Sequence, residues 1–197
     1  MSKSIHQEVS ESVDPGFQER KYCILKSFIP NKQIHELLDH ALEVSQHPAF
    51  LSGDEQVPRT PAVYADPAME RLLEALVPRL EQKTGISIYP TYSYFRVYKK
   101  GDELKKHTDR PACEISLTIS LGHDPEIYPI WVDAGAGPIE VFLEPGDALL
   151  YRGTEVLHWR ESFDGDYAAQ LFLHYVDQNG PHGEWKYDRR ESLFTLG

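Results

Sequence analysis

The sequence predicts an α+β chain: two helices, then a sandwich or barrel of short antiparallel strands, with the helices covering one face of the sheet. Two changes of pattern carry that prediction. Apolar residues recur at helical spacing between residues 31 and 85, and from residue 86 onward the period drops to two. Turn residues then divide the remainder into about seven runs of strand length. At 197 residues the chain is long enough for one well-buried domain and short for two. Residues 21–197 are therefore taken as a single domain behind a flexible leader, residues 1–20.

The leader is polar, with Gly16 just after Pro15. KYCILKSFI (21–29) is strand-like and is stopped by Pro30. In NKQIHELLDHALEVSQ, Ile34, Leu37, Leu38, Ala41 and Leu42 fall on one helical stripe, with Asn31 as the expected N-cap. Residues 47–65 hold three prolines and a glycine, the composition of a long irregular segment of the kind that forms lids. Asp66-Pro67 then supplies an N-cap and a proline at the first helical position. Met69, Leu72, Leu73, Leu76 and Leu80 continue that helix to Gly85, with Pro78 expected to kink it or start a new turn. The strand runs are ISIYP, TYSYFRVY, ACEISLTISLG, PIWVD, IEVFLEPGDALLYRG, EVLHWRE and YAAQLFLHYVD. The tail beyond Asp177 is read as an extended appendage packed by Trp185 and Phe194.

With 41% apolar and 26% charged residues the chain is too apolar for disorder. Twenty Lys and Arg against thirty-one Asp and Glu give a net charge of −11, which works against phosphate backbones and makes nucleic acid an unexpected partner. No run approaches a membrane span, and MSKSIHQEVSES has no apolar signal core, so no membrane partner and a cytoplasmic location are expected. Cys23 and Cys113 stand alone, without metal-cluster spacing or a disulfide framework.

The motif that carries chemistry is His107-Thr108-Asp109, followed about fifty residues later by His158. Two imidazoles and one carboxylate form a facial ligand set for Fe(II), leaving positions open for substrate and O2. His107 closes the run RVYKKGDELKK, and His158 follows the turn and strand PGDALLYRGTEVL, so both sit where strands can converge. Singly, His107 also reads as a surface histidine and His158 as a core histidine donating to a carbonyl; the set together favours a metal. Of the other seven histidines only His174 has a strand parity that faces the interior.

Alternation assigns faces to the neighbours of these ligands. In EISLTISL, Glu114, Ser116, Thr118 and Ser120 share one face, while Ile115, Leu117, Ile119 and Leu121 share the face expected under the helices. Tyr92, Tyr94, Arg96 and Tyr98 lie together, as do His158 and Arg160. A cavity lined by such hydroxyls and arginines suits a small carboxylate.

The ordered set RVYKKGDELKKHTD, a strand ending SLG, EPGDALLY and HWR resembles the Fe(II)- and 2-oxoglutarate-dependent dioxygenases, in particular the prolyl 4-hydroxylase-like branch. The resemblance runs from KYCILKSFIPNKQIHELL through FLHYVD. It implies a double-stranded β-helix, or jelly roll, with supporting helices, and iron ligands His107, Asp109 and His158. It also implies a hydroxylase that couples oxidative decarboxylation of 2-oxoglutarate by O2, to succinate and CO2, with C–H hydroxylation, with ascorbate as a possible stimulant. Asp109 favours hydroxylation, because halogenating relatives lack that carboxylate.

One element departs from the pattern. Such enzymes generally carry Lys or Arg about ten residues after the second histidine, to pair with the distal carboxylate of 2-oxoglutarate, and here that position is Ala168. Another cation is expected to replace it. Arg160 is the first candidate, sharing a strand face with His158, and Arg96 is the rival, with the alternative of holding an acidic group on the substrate. Tyr98 and Ser120 are candidate hydroxyl donors to the co-substrate. Arg110 is placed either beside the Asp109 ligand or at the cavity mouth. Trp159 has core parity, and Tyr151 and Trp131 are possible entrance residues.

Two other readings stay open: a cupin-type metalloenzyme that does not use 2-oxoglutarate, since PGDALLYRGTEVLHW resembles a cupin's second motif, and a noncatalytic jelly-roll binding module. The substrate is expected to be a small acidic or amino-acid-like molecule or a protein side chain. Oligomeric state is not legible.

Overall fold

The computed structural model describes residues 14–47 and 53–194. Chain order is α1 (Pro15–Arg20), β1 (Tyr22–Leu25), α2 (Asn31–Ser45), β2 (Ala62–Tyr64), α3 (Pro67–Ala75), α4 (Val77–Thr84), β3 (Ile88–Lys99) and β4 (Leu104–His107). It continues with β5 (Ile115–Asp124), β6 (Ile130–Asp133), β7 (Ile139–Val141), β8 (Ala148–Arg152), β9 (Leu157–Arg160) and β10 (Tyr167–Asp177). Two antiparallel sheets face each other. One has six strands in the order β1-β8-β5-β10-β3-β2, the other four in the order β4-β9-β6-β7.

The helices behave as their sequences require, with differences at the ends. Helix α3 is capped by Asp66, whose side chain accepts from the N–H groups of Ala68 and Met69. Pro78 does start a new helix: α3 stops at Ala75, α4 begins at Val77, and Gly85 at φ 69° ends it in the left-handed conformation that glycine tolerates. Asn31 is the first helical residue of α2 and not its cap; Pro30 takes that place without a side-chain bond. Within the segment expected to be a loose leader, residues 15–20 form a helix, because Asp14 caps it and Phe17 is completely buried. The rest of that leader, residues 1–13, lies outside the described residues.

The outer face of the six-stranded sheet carries the main core. Ile115, Leu117, Ile119 and Leu121 from β5 pack with Ile34 and Leu37 of α2 and Leu73 of α3, as alternation predicts. The inner face of the same strand presents Ser116, Thr118 and Ser120 to the space between the sheets, all fully buried. ISIYP and TYSYFRVY, expected as separate strands, form most of the single long β3, which pairs with β10 along nearly its whole length. The irregular 47–65 segment ends in the short edge strand β2 on β3 and buries Val57 and Thr60; residues 48–52 of it lie outside the described residues. In the tail Leu193 is buried and Phe194 is 55% exposed, so the expected anchor at Phe194 falls one residue earlier.

Candidate metal centre

The pairing of β4 with β9 sets His107 directly opposite His158. Directly opposed residues of antiparallel strands have neighbouring side chains, and here the two ring centroids are 4.3 Å apart. Each ring is oriented from behind. His107 Nδ1 lies 2.7 Å from the carbonyl of Lys105 and His158 Nδ1 lies 2.9 Å from the carbonyl of Val156. A carbonyl only accepts, so Nδ1 carries the proton and the lone pair of each Nε2 points forward.

Asp109 follows β4 and is pinned by backbone lacing. Its N–H donates to Gly153 O at 2.8 Å, and the N–H of Gly153 donates to Glu114 O at 2.9 Å. The Oδ1 atom stands 3.7 Å from His107 Nε2 and 3.5 Å from His158 Nε2, while Oδ2 accepts from the Ser116 hydroxyl at 2.8 Å. Burial alone would push this carboxyl up, yet the bond and charge of His158, with His174 and Ser116, hold it at about 2. His107 is pulled below the ordinary histidine range by burial and by His158. Both shifts favour the ligating form, an anionic Asp109 carboxylate and a neutral His107 imidazole. One ligand atom from each of the three lies within 4.8 Å of the others. Two forward-facing nitrogens and a carboxylate oxygen fit a hard-to-borderline divalent ion such as Fe(II), with open positions toward the cavity.

Gly153 is part of this arrangement and was missed in the sequence. A Cβ there would lie 2.2 Å from the Cys113 carbonyl oxygen, 2.4 Å from Asp109 Oδ2 and 2.7 Å from Ser116 Oγ. Only a turn glycine after a strand marks it in the sequence, a signal shared by many glycines without such a role. His174, singled out by parity, is buried against the site with Nδ1 2.9 Å from Ser116 Oγ, and burial brings it down to about 4.

The three ligands line a cavity of ≈ 560 Å³, within the usual size of small-molecule sites. Tyr94, Arg96, Tyr98 and Tyr151 line it as well. The guanidinium of Arg96 is 1% exposed, and its Nε and Nη1 have no hydrogen-bond partner among the described residues. Its Nη2 bonds Asp54, which also accepts from the Tyr94 hydroxyl. Burial pushes Asp54 up, but its bonds from Tyr94 and Val57 and the charge and bond of Arg96 leave it below the usual carboxylate range.

Arg160 is equally buried but differently occupied, and it is absent from the cavity lining. It donates through Nη1 to the carbonyl of Tyr128 and through Nη2 to Gln170 Oε1 at 3.1 Å, leaving Nε unpaired. The two guanidinium carbons lie 5.6 and 5.9 Å from the Tyr98 ring centroid. Ser120 is buried with its hydroxyl unpaired among the described residues, outside the cavity lining. Arg110 sits at the mouth, where both terminal nitrogens bond Asp188 at 2.9 Å and the guanidinium lies over Tyr92. Trp131 and Trp159 stack on each other 5.9 Å apart and do not line the cavity.

No family model and no curated protein matches the sequence. Solved structures do match the fold. A prolyl-4-hydroxylase of Pseudomonas putida aligns at TM-score 0.68 and 16% identity, over 82% of this chain and 95% of that one. A prolyl hydroxylase of Trichoplax adhaerens, in complex with a hypoxia inducible factor oxygen degradation domain peptide, aligns at TM-score 0.69 and 14% identity, over 83% and 86%. HygX of Streptomyces hygroscopicus, with nickel, 2-oxoglutarate and hygromycin B bound, aligns at TM-score 0.64 and 14% identity, over 84% and 86%. Taken with the two facing sheets, these matches give this chain the double-stranded β-helix fold of the 2-oxoglutarate- and Fe(II)-dependent oxygenases.

Proposed function

We propose that the protein is an Fe(II)- and 2-oxoglutarate-dependent hydroxylase. The observation that carries this reading is the placement, in one cavity, of the His107–Asp109–His158 set and a buried guanidinium, that of Arg96, with two unpaired nitrogens. Iron held by His107, Asp109 and His158 would supply the redox chemistry that couples oxidation of 2-oxoglutarate by O2, to succinate and CO2, with hydroxylation of a substrate C–H bond.

The chain's own residues do the remaining work. Lys105 and Val156 carbonyls fix the histidine tautomers, and Ser116 holds one oxygen of Asp109 so that the other faces the histidines. Arg96 receives the distal carboxylate of 2-oxoglutarate, because a buried cation with free N–H groups gains most from an anion with fork geometry. Tyr98 borders the same space as a hydroxyl donor. Arg160 braces the floor between the sheets through Tyr128 and Gln170, and Ser120 supplies a further hydroxyl beneath it. This assignment reverses the order of the two arginines expected from strand parity alone.

The substrate is a small molecule or a protein side chain; the fold's neighbours include a complex with a peptide and one with hygromycin B. The experiment is succinate release by the purified protein with Fe(II), ascorbate and 2-oxoglutarate, with and without amino acids and short peptides. Slow succinate formation without any substrate, stimulated by some of them, is expected. No metal binding and no turnover under any condition would sink the reading, and metal-site spectra indifferent to 2-oxoglutarate would favour the cupin-type alternative.

A further inference from the structure

Asp109 is a two-sided ligand. Its Oδ1 faces His107 and His158, while its Oδ2 turns to Ser116, on the side of His174 and Cys113. One ligand atom each from Asp109, Cys113 and His174 lies within 4.8 Å of the other two. Cys113 and His174 are 3% and 7% exposed, yet both border the cavity, so an ion entering it reaches them. Neither is a ligand in the proposed iron site, and each places a polar atom against another: Cys113 Sγ lies 3.1 Å from the Tyr92 hydroxyl and His174 Nδ1 lies 2.9 Å from Ser116 Oγ.

From this geometry we propose a second cation site beside the first, formed by Cys113 Sγ, a His174 ring nitrogen and Oδ2 of Asp109, that takes a thiophilic divalent metal, zinc or cadmium. The donor set decides the class of ion. One sulfur, one nitrogen and one oxygen make a three-ligand site open at a fourth position to water, the tetrahedral pattern zinc accepts, whereas the first site offers no sulfur. Binding replaces the S–H bond by a sulfur–metal bond and releases the thiol proton to solvent, so the cation replaces the proton's charge on a sulfur that burial otherwise keeps neutral. Tyr92 and Ser116 then remain as hydrogen-bond supports around the ligands. Because Asp109 serves both sites, its two oxygens either bridge two ions or turn toward one, and zinc in excess draws it away from the iron side.

The inference does not depend on the proposed reaction, and its test reads no activity. Full-length protein is titrated with Co(II). The wild type should develop a sulfur-to-cobalt charge-transfer band in the near ultraviolet. His107→Ala, which damages only the first site, should keep that band; Cys113→Ser should lose it while still binding cobalt at the first site. His174→Ala should weaken the band-forming event at least about tenfold, within the range for loss of metal-site support. A wild type without the band, or a Cys113→Ser protein that keeps it through Cys23, overturns the proposal. Should Cys113→Ser fail to fold, the zinc X-ray absorption spectrum of the wild-type protein decides: one sulfur at about 2.3 Å supports the site, and a shell of nitrogen and oxygen alone refutes it.

Discussion

The two ends of the cavity are built on opposite principles. At the metal end the rear atom of each ligand is satisfied by the chain itself, through the Lys105 and Val156 carbonyls and the Ser116 hydroxyl, so the front atoms are held in place before any ion arrives. At the deep end, among the described residues, Arg96 Nε and Nη1 are left unpaired, and outside the cavity lining so are Arg160 Nε and the Ser120 hydroxyl. A buried unpaired donor costs about 1–3 kcal/mol. The contrast teaches that the fold satisfies the rear atoms at the metal end, while at the deep end it leaves the buried Arg96 guanidinium with spare donors, as the proposed anion binding there requires. Asp54 supplies one negative group to Arg96 from the segment above, but occupies only one of its three nitrogens.

The following changes break or sharpen this contrast, in falling order of effect. Asp109→Ala or His107→Ala removes a front atom, and iron affinity measured by equilibrium dialysis is expected to fall by more than about 100-fold, beyond the loss typical of supporting residues. Gly153→Ala touches no front atom but drives a methyl group against Asp109 Oδ2 and the Cys113 carbonyl. It is expected to cost about 10–100-fold in iron affinity; an unchanged affinity would show that the carboxylate is not held from this side.

Arg96→Ala acts at the deep end only. Iron should stay bound while 2-oxoglutarate affinity falls by about 2–3 kcal/mol, the worth of a charged hydrogen-bonded pair, read by calorimetry. Arg160→Ala is expected to lower the melting temperature more than the 2-oxoglutarate affinity, since it strips donors from Tyr128 and Gln170; the reverse ranking moves the co-substrate role to Arg160. Asp54→Asn frees Arg96 of its internal partner and should tighten 2-oxoglutarate binding several-fold, on the order of 1 kcal/mol, with weaker binding assigning Asp54 a positioning role instead.

The smallest effect is on stability against pH. His174 titrates near 6.5 in the unfolded chain and about 4 in the folded one, because burial disfavours its charged form. The unfolded chain therefore binds the extra proton between those values, and stability drops as pH falls through that window. The difference between the melting temperatures of the wild type and His174→Gln should stay constant above pH 6.5 and shift against the wild type as pH falls from 6.5 towards 4; a difference that does not change with pH would contradict the shift.

The metal end was legible in the sequence because its information is local. His107, Asp109 and His158 sit in short motifs, and period-two alternation alone gave the inner face of β5 and the strand face shared by Arg96 and Tyr98. The outer core under the helices followed from the same alternation. What stayed hidden depends on distance between elements. Parity placed Arg160 and Arg96 on inner faces alike, but only the packing of Tyr128 and Gln170 around Arg160 distinguishes them. Gly153 and the Asp54 contact were equally out of reach, since one is a matter of ångström-scale clearance and the other joins residues 42 positions apart. Helix α1 escaped notice because a six-residue helix has too few turns for a periodic signal, and its anchor is the tertiary burial of Phe17.

The central claim is that iron and 2-oxoglutarate meet in this cavity, and an anaerobic titration of the Fe(II)-loaded protein with 2-oxoglutarate tests it most directly. The account predicts a saturable visible charge-transfer band in the wild type, absent in Asp109→Ala and displaced to higher 2-oxoglutarate concentration in Arg96→Ala. A metal-loaded wild-type protein whose spectrum does not respond to 2-oxoglutarate would contradict it.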